Sequence, residues 1–268
     1  MNILNINLIT ETLCKNLEYL FTDIDDTITT DGIMPASTLK DIWKLSGAGI
    51  KVVLVTGRPA GWCDYFARMW PIAGIIGENG AFYFSYNREV KKMKRVFLQS
   101  EATRKSGQTG LERIRKRVLK EVPGSGISSD QDFRISDLAI DFCEDVSPLE
   151  NKEIDKICSI AAEEGAVYKV SSIHINCWYG DYDKLSCFDR FLNDFTGNSL
   201  ESMQNKIIYI GDSPNDEPMF KALKHSAAVN NIEKFLDRME FTPVYKAEYN
   251  SGDGFKEIVD VILTKREY

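Results

Sequence analysis

Residues 19–27 read YLFTDIDDT, a short apolar stretch that leads directly into three aspartates and a threonine. An apolar run of this kind is typical of a strand that is covered on both faces of a sheet. Alternate residues of an extended chain point the same way, so Asp23 and Asp25 are predicted to face one site at the carboxyl end of this strand. Two close carboxylates repel each other unless a cation or a proton lies between them, and a hard cation with oxygen ligands meets that need. An acidic turn that caps the next helix is the alternative.

A second acidic cluster follows another apolar run. Residues 207–216 read IIYIGDSPND and place Asp212 and Asp216 just after a predicted strand. Ligands of open α/β sheets bind at the carboxyl ends of the strands, so the two clusters are predicted to meet and complete one metal shell. The alternative for Asp216 is an acid at the start of a helix, where the helix dipole favours negative charge.

Two further elements predict a seat for a phosphate group. Residues 55–59, VTGRP, follow a third apolar run and supply the hydroxyl of Thr56, the backbone amide of Gly57 and the start of a helix. Lys184 lies at the start of another predicted helix, where the dipole does not favour a cation, so we expect it to face a ligand. An ordinary strand-to-helix turn and a solvated lysine are the alternatives.

The alternation of strand and helix patterns predicts an α/β fold with a doubly wound parallel sheet. The middle of the chain has longer and more polar segments, which predict an α+β domain inserted into the first. We therefore expect a core domain at 1–84, an inserted cap domain at 85–180 and the rest of the core at 181–268. An amphipathic helix is predicted at 6–18, and a helix that begins at Ser37 or Thr38 is predicted to turn Trp43 inward.

Composition narrows the function classes. The chain has 268 residues with a net charge of −7, which argues against a broad nucleic-acid-binding surface. No apolar run approaches the ~20 residues of a membrane span, and the N-terminus does not resemble a signal peptide. The six cysteines form no CxxC pair, so we expect reduced thiols and a cytoplasmic location. The sequence indicates no oligomeric state.

Taken in order, the DxDxT of residues 23–27, Thr56, Lys184 and the GDSPND of residues 211–216 resemble the haloacid dehalogenase (HAD) superfamily. The long insert between Thr56 and Lys184 resembles the large-cap Cof-type branch, which includes sucrose-phosphate and mannosyl-phosphoglycerate phosphatases. ENGA at 78–81 and SGDGF at 251–255 are also similar to that branch. Asp26 stands where the family usually has glycine, and an N-terminal extension precedes the first motif.

The resemblance implies a phosphatase that uses Mg²⁺ and acts on a small phosphorylated metabolite of the sugar-phosphate type. It implies that Asp23 is the nucleophile and Asp25 the general acid and base. The metal residues would be Asp23, Asp25 through its backbone carbonyl, Asp212 and Asp216; the phosphate residues would be Thr56, Gly57, Lys184 and Asn215. The cap would select the leaving group, with Arg58, Arg134, His174 and Asn176 as specificity candidates. For His174 and Asn176 the alternative is a satisfied strand face, and for Arg134 it is a solvated face.

Two other functions fit part of the pattern. A sugar phosphomutase of the same fold would return the phosphoryl group to the sugar instead of to water. A non-catalytic phospho-acceptor domain is also doubly wound with an acidic pocket, a threonine and a lysine. Such domains are shorter, lack a large insert and carry the acceptor on a middle strand, so the position of Asp23 argues against that class.

Overall fold

The computed structural model describes residues 3–171 and 173–267. Its strands are β1 (Leu4–Asn5), β2 (Tyr19–Thr22), β3 (Lys51–Val55), β4 (Gly74–Gly77), β5 (Phe82–Asn87), β6 (Lys92–Phe97), β7 (Gly126–Ile127), β8 (Asp137–Asp141), β9 (Val167–Val170), β10 (His174–Trp178), β11 (Ile207–Gly211), β12 (Ser226–Ala228) and β13 (Tyr245–Lys246). Its helices are α1 (Glu11–Asn16), α2 (Ala36–Gly47), α3 (Ala60–Met69), α4 (Glu101–Glu121), α5 (Asn151–Glu163), α6 (Lys184–Thr196), α7 (Leu200–Met203), α8 (Glu217–Ala222) and α9 (Ser251–Glu267).

A large sheet of nine strands dominates the described part of the chain, in the order β1-β13-β12-β11-β2-β3-β4-β5-β6. The pairs from β1 to β4 are parallel, whereas β5 and β6 add an antiparallel edge. The chain leaves β2 towards β3 on one side and returns later to β11 on the other. Strand β2 therefore lies at the point where the strand order reverses, which is where doubly wound sheets bind ligands. The predicted α/β fold with a parallel sheet is confirmed.

Both faces of the large sheet are covered because successive residues of its central strands point to opposite sides. On β2, Leu20 packs into a cluster with residues of α1, α2, α3 and α9. Its neighbours Tyr19 and Phe21 pack on the other face with residues of α6 and α8. Phe21 and Phe188 of α6 have ring centroids 4.0 Å apart. These two cores hold the ends of the central strands in fixed positions.

A second, four-stranded antiparallel sheet is formed within the described insert, in the order β7-β8-β10-β9. Helices α4 and α5 cover it and share its own apolar core, which includes Ile114, Ile140, Ile157 and Ile175. The expected start of the insert at residue 85 falls within β5. The hairpin β5–β6 continues the large sheet as far as Phe97, because β5 pairs antiparallel with β4 and β6 pairs antiparallel with β5.

Two local predictions were wrong. The segment 6–18 is not one helix: a short 3-10 turn at Ile6–Leu8 precedes α1, which begins only after Thr10. The hydroxyl of Thr10 accepts a hydrogen bond from the amide of Leu13, and this cap starts a new helix. Trp43 is 59% exposed, because the buried face of α2 passes through Ile42 and one further residue turns the side chain outward.

Among residues 3–171 and 173–267, no helix combines the length and the apolar character that a membrane crossing requires. Five cysteines in this part of the chain carry free thiols: Cys14, Cys63, Cys158, Cys177 and Cys187.

Candidate active site

The carboxyl ends of three neighbouring parallel strands carry the polar residues singled out from the sequence. Strand β2 lies between β11 and β3, and its residue Thr22 is in register with Ile210 and Leu54. Asp23, Asp212 and Thr56 follow these strands directly, so the structure brings them to one edge of the sheet. The two acidic clusters, far apart in the chain, therefore lie side by side.

Lys184 joins the two clusters. Its Nζ lies 2.8 Å from Asp23 Oδ1 and 2.9 Å from Asp216 Oδ1, and the residue is 4% exposed. The lysine is the first residue of α6, and Asp183 caps that helix by accepting a hydrogen bond from the amide of Ser186. Asp183 thus satisfies a backbone amide at the start of α6 without help from Lys184. The side chain of Lys184 is free to pair with Asp23 and Asp216.

Asp216 is held in place by three donors rather than presented to the pocket. Its Oδ1 accepts a hydrogen bond from the buried hydroxyl of Tyr209 at 2.5 Å, besides the one from Lys184. Its Oδ2 accepts one from the amide of Asp212 at 3.0 Å. A side chain at Gly211 would place its Cβ 2.2 Å from Asp216 Oδ2, so only glycine permits this approach. Asp216 thus acts as a fixed counter-charge for Lys184.

The charges of this cluster do not balance. Among the described residues, the buried carboxylates of Asp23, Asp212 and Asp216 meet the single buried ammonium of Lys184. Burial raises the pKa of Asp23 to about 7, although the nearby Lys184 acts in the opposite direction. Burial, followed by the charges of Asp216 and Asp23, raises the pKa of Asp212 well above its ordinary value. A site of this kind is stabilised by an additional positive charge.

The residues present fit a hard divalent cation. Asp23 and Asp212 line the same pocket and offer only oxygen donors, the ligand type that Mg²⁺ prefers. No group of three or more His, Cys, Asp or Glu side chains in the described ranges is arranged as a metal cluster. The carboxylate of Asp25 is hydrogen-bonded to Arg58. The carboxylate of Asp216 accepts hydrogen bonds from Lys184 and Tyr209. A metal here would therefore rely on two carboxylates, on backbone carbonyl oxygen and on water.

The residues predicted to bind phosphate occupy different depths. Gly57 and Asn215 line the pocket together with Asp23. Asn215 is oriented by the hydroxyl of Ser213, which donates to its Oδ1 at 2.9 Å. Thr56 is fully buried, and its hydroxyl accepts a hydrogen bond from the amide of Arg58 at 3.0 Å. This bond shapes the turn that presents Gly57.

Arg58 connects the large sheet to the insert. Its guanidinium binds Asp25 Oδ1 through two nitrogens, at 3.0 and 2.8 Å, and reaches Glu144 of the insert at 3.2 Å. Glu144 in turn lies 2.9 Å from His174 Nε2. The side chains of Arg58 and His174 are 8% and 3% exposed and both residues line the pocket. Arg58 and His174 therefore form part of the pocket wall, and Glu144 links their side chains.

Arg134 forms a second connection, from the insert to the turn that presents Gly57. Its Nη1 donates to the carbonyl oxygen of Gly57 at 2.9 Å and lies 3.1 Å from Asp137. Its Nε pairs with Asp130 at 2.9 Å, and the side chain is 1% exposed. Asn176 donates to Asp137 at 2.9 Å. The structure therefore places all four specificity candidates in the wall of one pocket.

The family model for haloacid dehalogenase-like hydrolases matches residues 20–118 and 194–238, which is more than half of the chain. The chain belongs to the haloacid dehalogenase-like hydrolases. The matched ranges contain Asp23, Thr56 and Asp212, the three residues that follow the central strands.

Relatives of this HAD-like hydrolase match it along nearly the whole chain. A phosphoglycolate phosphatase of Methanobrevibacter smithii is 27% identical over 258 residues, which cover 91% of this chain and 98% of the relative. A crystal structure from Thermoplasma acidophilum has a TM-score of 0.69 at 18% identity and covers 92% of this chain and 98% of its own. The sucrose-phosphatase of Synechocystis has a TM-score of 0.62 at 14% identity, with coverages of 92% and 98%. The two structural similarities confirm the fold.

Several residues at the site of this HAD-like hydrolase were missed in the sequence. In the sequence, Tyr209 fits an apolar strand, and the one signal of its role is a lone hydroxyl within the aliphatic run 207–210, which can mark a buried polar contact. Glu144 and Asp137 gave no signal, since their partners Arg58 and Arg134 come from other elements. Asn79 stands out in the sequence only as part of ENGA at 78–81, yet it lines the same pocket as Gly57.

Proposed function

We propose that this hydrolase is a magnesium-dependent phosphatase that releases phosphate from a small phosphomonoester of the sugar-phosphate class through an aspartyl-phosphate at Asp23. The observation that carries the proposal is the position of Asp23 at the strand-order reversal, paired with Lys184 at 2.8 Å and next to Asp212. A buried carboxylate that is oriented in this way, beside a seat for a phosphate group, is suited to attack phosphorus.

The proposed reaction has two steps. Asp23 attacks phosphorus, a bond forms between its carboxylate oxygen and phosphorus, and the bond to the ester oxygen breaks. Asp25 gives a proton to the departing oxygen in the first step. In the second step it takes a proton from water, whose oxygen bonds to phosphorus while the bond to the Asp23 oxygen breaks and phosphate leaves. Arg58 fixes the orientation of Asp25. The Gly57 amide and Asn215, which line the pocket, and Lys184, which is bonded to Asp23, would stabilise charge on the phosphoryl oxygens.

Magnesium would be held by Asp23, Asp212 and the backbone carbonyl of Asp25, with Asp216 supporting through Lys184. When bound, the ion neutralises the repulsion between the nucleophile and the phosphate dianion. The excess of buried carboxylate over ammonium supports this assignment.

The insert, placed at residues 85–180 in the sequence, is proposed as a cap that excludes water and selects the leaving group. Its contacts support this role, because Arg134 reaches the Gly57 carbonyl and Glu144 reaches Arg58. The polar lining of Arg58, His174 and Asn176 suits a polyol.

The relative named phosphoglycolate phosphatase makes phosphoglycolate the second substrate to assay, after sugar phosphates. The free thiols support a cytoplasmic location.

Chelation should silence the enzyme reversibly. We expect EDTA to lower the release of p-nitrophenol from p-nitrophenyl phosphate by about 100-fold or more, and added Mg²⁺ to restore it, since charge neutralisation by a metal is worth several kcal/mol. Mg²⁺ should also raise the melting temperature of the wild-type protein, because it binds the folded state. Asp212→Asn should lose that stabilisation. Unchanged activity in EDTA, together with no effect of Mg²⁺ on melting, would contradict the metal assignment.

A further inference from the structure

Asn79 is a buried polar residue to which the proposed reaction gives no task. The residue is 5% exposed, and its Nδ2 has no hydrogen-bond partner in the described part of the chain. It lines the same pocket as Asp23 and Asp25. Its backbone amide donates to the carbonyl oxygen of Thr56 at 3.1 Å, which fixes Asn79 beside the turn that presents Gly57. Buried donors normally have partners, so this one points to a group that arrives with the substrate.

Asn176 faces the same space from the insert. Its Nδ2 is used by Asp137 at 2.9 Å, which leaves its Oδ1 as the acceptor on the other side of the amide. A Cβ built on Gly57 would lie 3.2 Å from Asn79 Nδ2, 3.3 Å from Asn79 Oδ1 and 3.6 Å from Asn176 Oδ1. The absent side chain of Gly57 therefore keeps open a space that a donor and an acceptor both border.

We propose that Asn79 and Asn176 bind one hydroxyl group of the substrate, next to the phosphoryl group, by donating to it and accepting from it. The inference rests on the proposed phosphatase function and deepens it by assigning the residues that read the leaving group. A hydroxyl can satisfy both amides at once. A carboxylate can only accept, so it would satisfy Asn79 but face the oxygen of Asn176.

The surrounding charges favour the same choice. Asp137 lies behind Asn176, and the wall next to Asp25 carries Glu144. The guanidinium groups of Arg58 and Arg134 are already paired with these carboxylates. A neutral hydroxyl of the substrate can bind beside these carboxylates without adding negative charge. A second anionic group on the substrate would be repelled by them.

Substitutions at position 79 can test this without disturbing the backbone. Asn79 has a φ of 54°, a conformation that glycine and aspartate both tolerate. Asn79→Gly removes the donor, and Asn79→Asp replaces it with an acceptor of the same shape. Asn198→Asp, at an exposed position away from the pocket, is the matched control for the charge change.

The measurement is the ratio of kcat/KM for glycerol 3-phosphate, which has a neighbouring hydroxyl, to kcat/KM for propyl phosphate, which has none. We expect a ratio of about ten for the wild type and for Asn198→Asp, because a hydrogen bond contributes up to about tenfold. The ratio should fall towards one in Asn79→Gly and Asn79→Asp, mainly through a higher KM for glycerol 3-phosphate. Wild type should also prefer glycerol 3-phosphate to 2-phosphoglycolate.

Three results would overturn the inference and leave the phosphatase standing. The first is a wild-type ratio near one with hydrolysis of p-nitrophenyl phosphate intact, and the second is a ratio that Asn79→Gly leaves unchanged. The third is a wild-type preference for 2-phosphoglycolate. If no phosphate is released from p-nitrophenyl phosphate or any other ester, the proposed function fails and the inference fails with it.

Discussion

Replacing Asp23 with asparagine is expected to lower the rate of phosphate release from p-nitrophenyl phosphate by about 10⁴-fold or more, as for the loss of other covalent nucleophiles. The amide has the shape of the carboxylate but is a poor nucleophile. Lys184 keeps its second partner, Asp216 at 2.9 Å, so the fold should be retained. Steady-state kinetics with circular dichroism and a melting curve would measure both effects.

The control for this variant is Asp237→Asn, the same chemical change at an exposed aspartate outside the pocket. It should keep the wild-type rate within about twofold, as surface substitutions usually change little. A folded Asp23→Asn protein with a rate within tenfold of wild type would remove Asp23 from the nucleophile's role.

Lys184→Met should impair both activity and stability. The substitution leaves the buried carboxylates of Asp23 and Asp216 without their shared ammonium, and removing one partner of a buried pair costs about 3–5 kcal/mol. Because Lys184 is proposed to face the phosphoryl group, its loss as a cation should lower kcat by about 10³-fold. Denaturant unfolding in EDTA and phosphate-release assays in Mg²⁺ would give the two quantities.

Lys152→Met is the appropriate comparison, because the Lys152 side chain is 74% exposed and its contact with Glu150 is a surface pair. Its free energy of unfolding should change by no more than about 0.5 kcal/mol. If Lys184→Met unfolds at the wild-type denaturant concentration and keeps its turnover, the lysine does not hold the two carboxylates together.

Those parts of the fold and site that depend on local patterns could be predicted from the sequence. Asp23, Thr56 and Asp212 each follow an apolar run, and parallel strands place their carboxyl ends together, so the pattern was enough to bring these residues to one edge. The orientation of Trp43 was not predictable in this way, because α2 carries apolar residues on more than one side and the packing against α9 and β3 decides which side is buried.

The wall of the pocket depends on contacts between elements that the sequence does not relate. Arg58 meets Glu144, and Arg134 meets the backbone of Gly57, only after the insert has folded against the large sheet. Tyr209 is similar, since its hydroxyl gains meaning only from the carboxylate of Asp216 that lies above it. Sequence reasoning could name Arg58 and Arg134 as candidates but could not supply their partners.

Trapping the covalent intermediate tests the account most directly. The purified protein, mixed with Mg²⁺ and a ³²P-labelled phosphomonoester and quenched in acid within milliseconds, should carry label that is lost on treatment with hydroxylamine, as an acyl phosphate is. Peptide mapping should place this label on Asp23, and Asp23→Asn should show none. Label on another residue, or rapid turnover without any labelled protein at any quench time, would contradict the proposed mechanism.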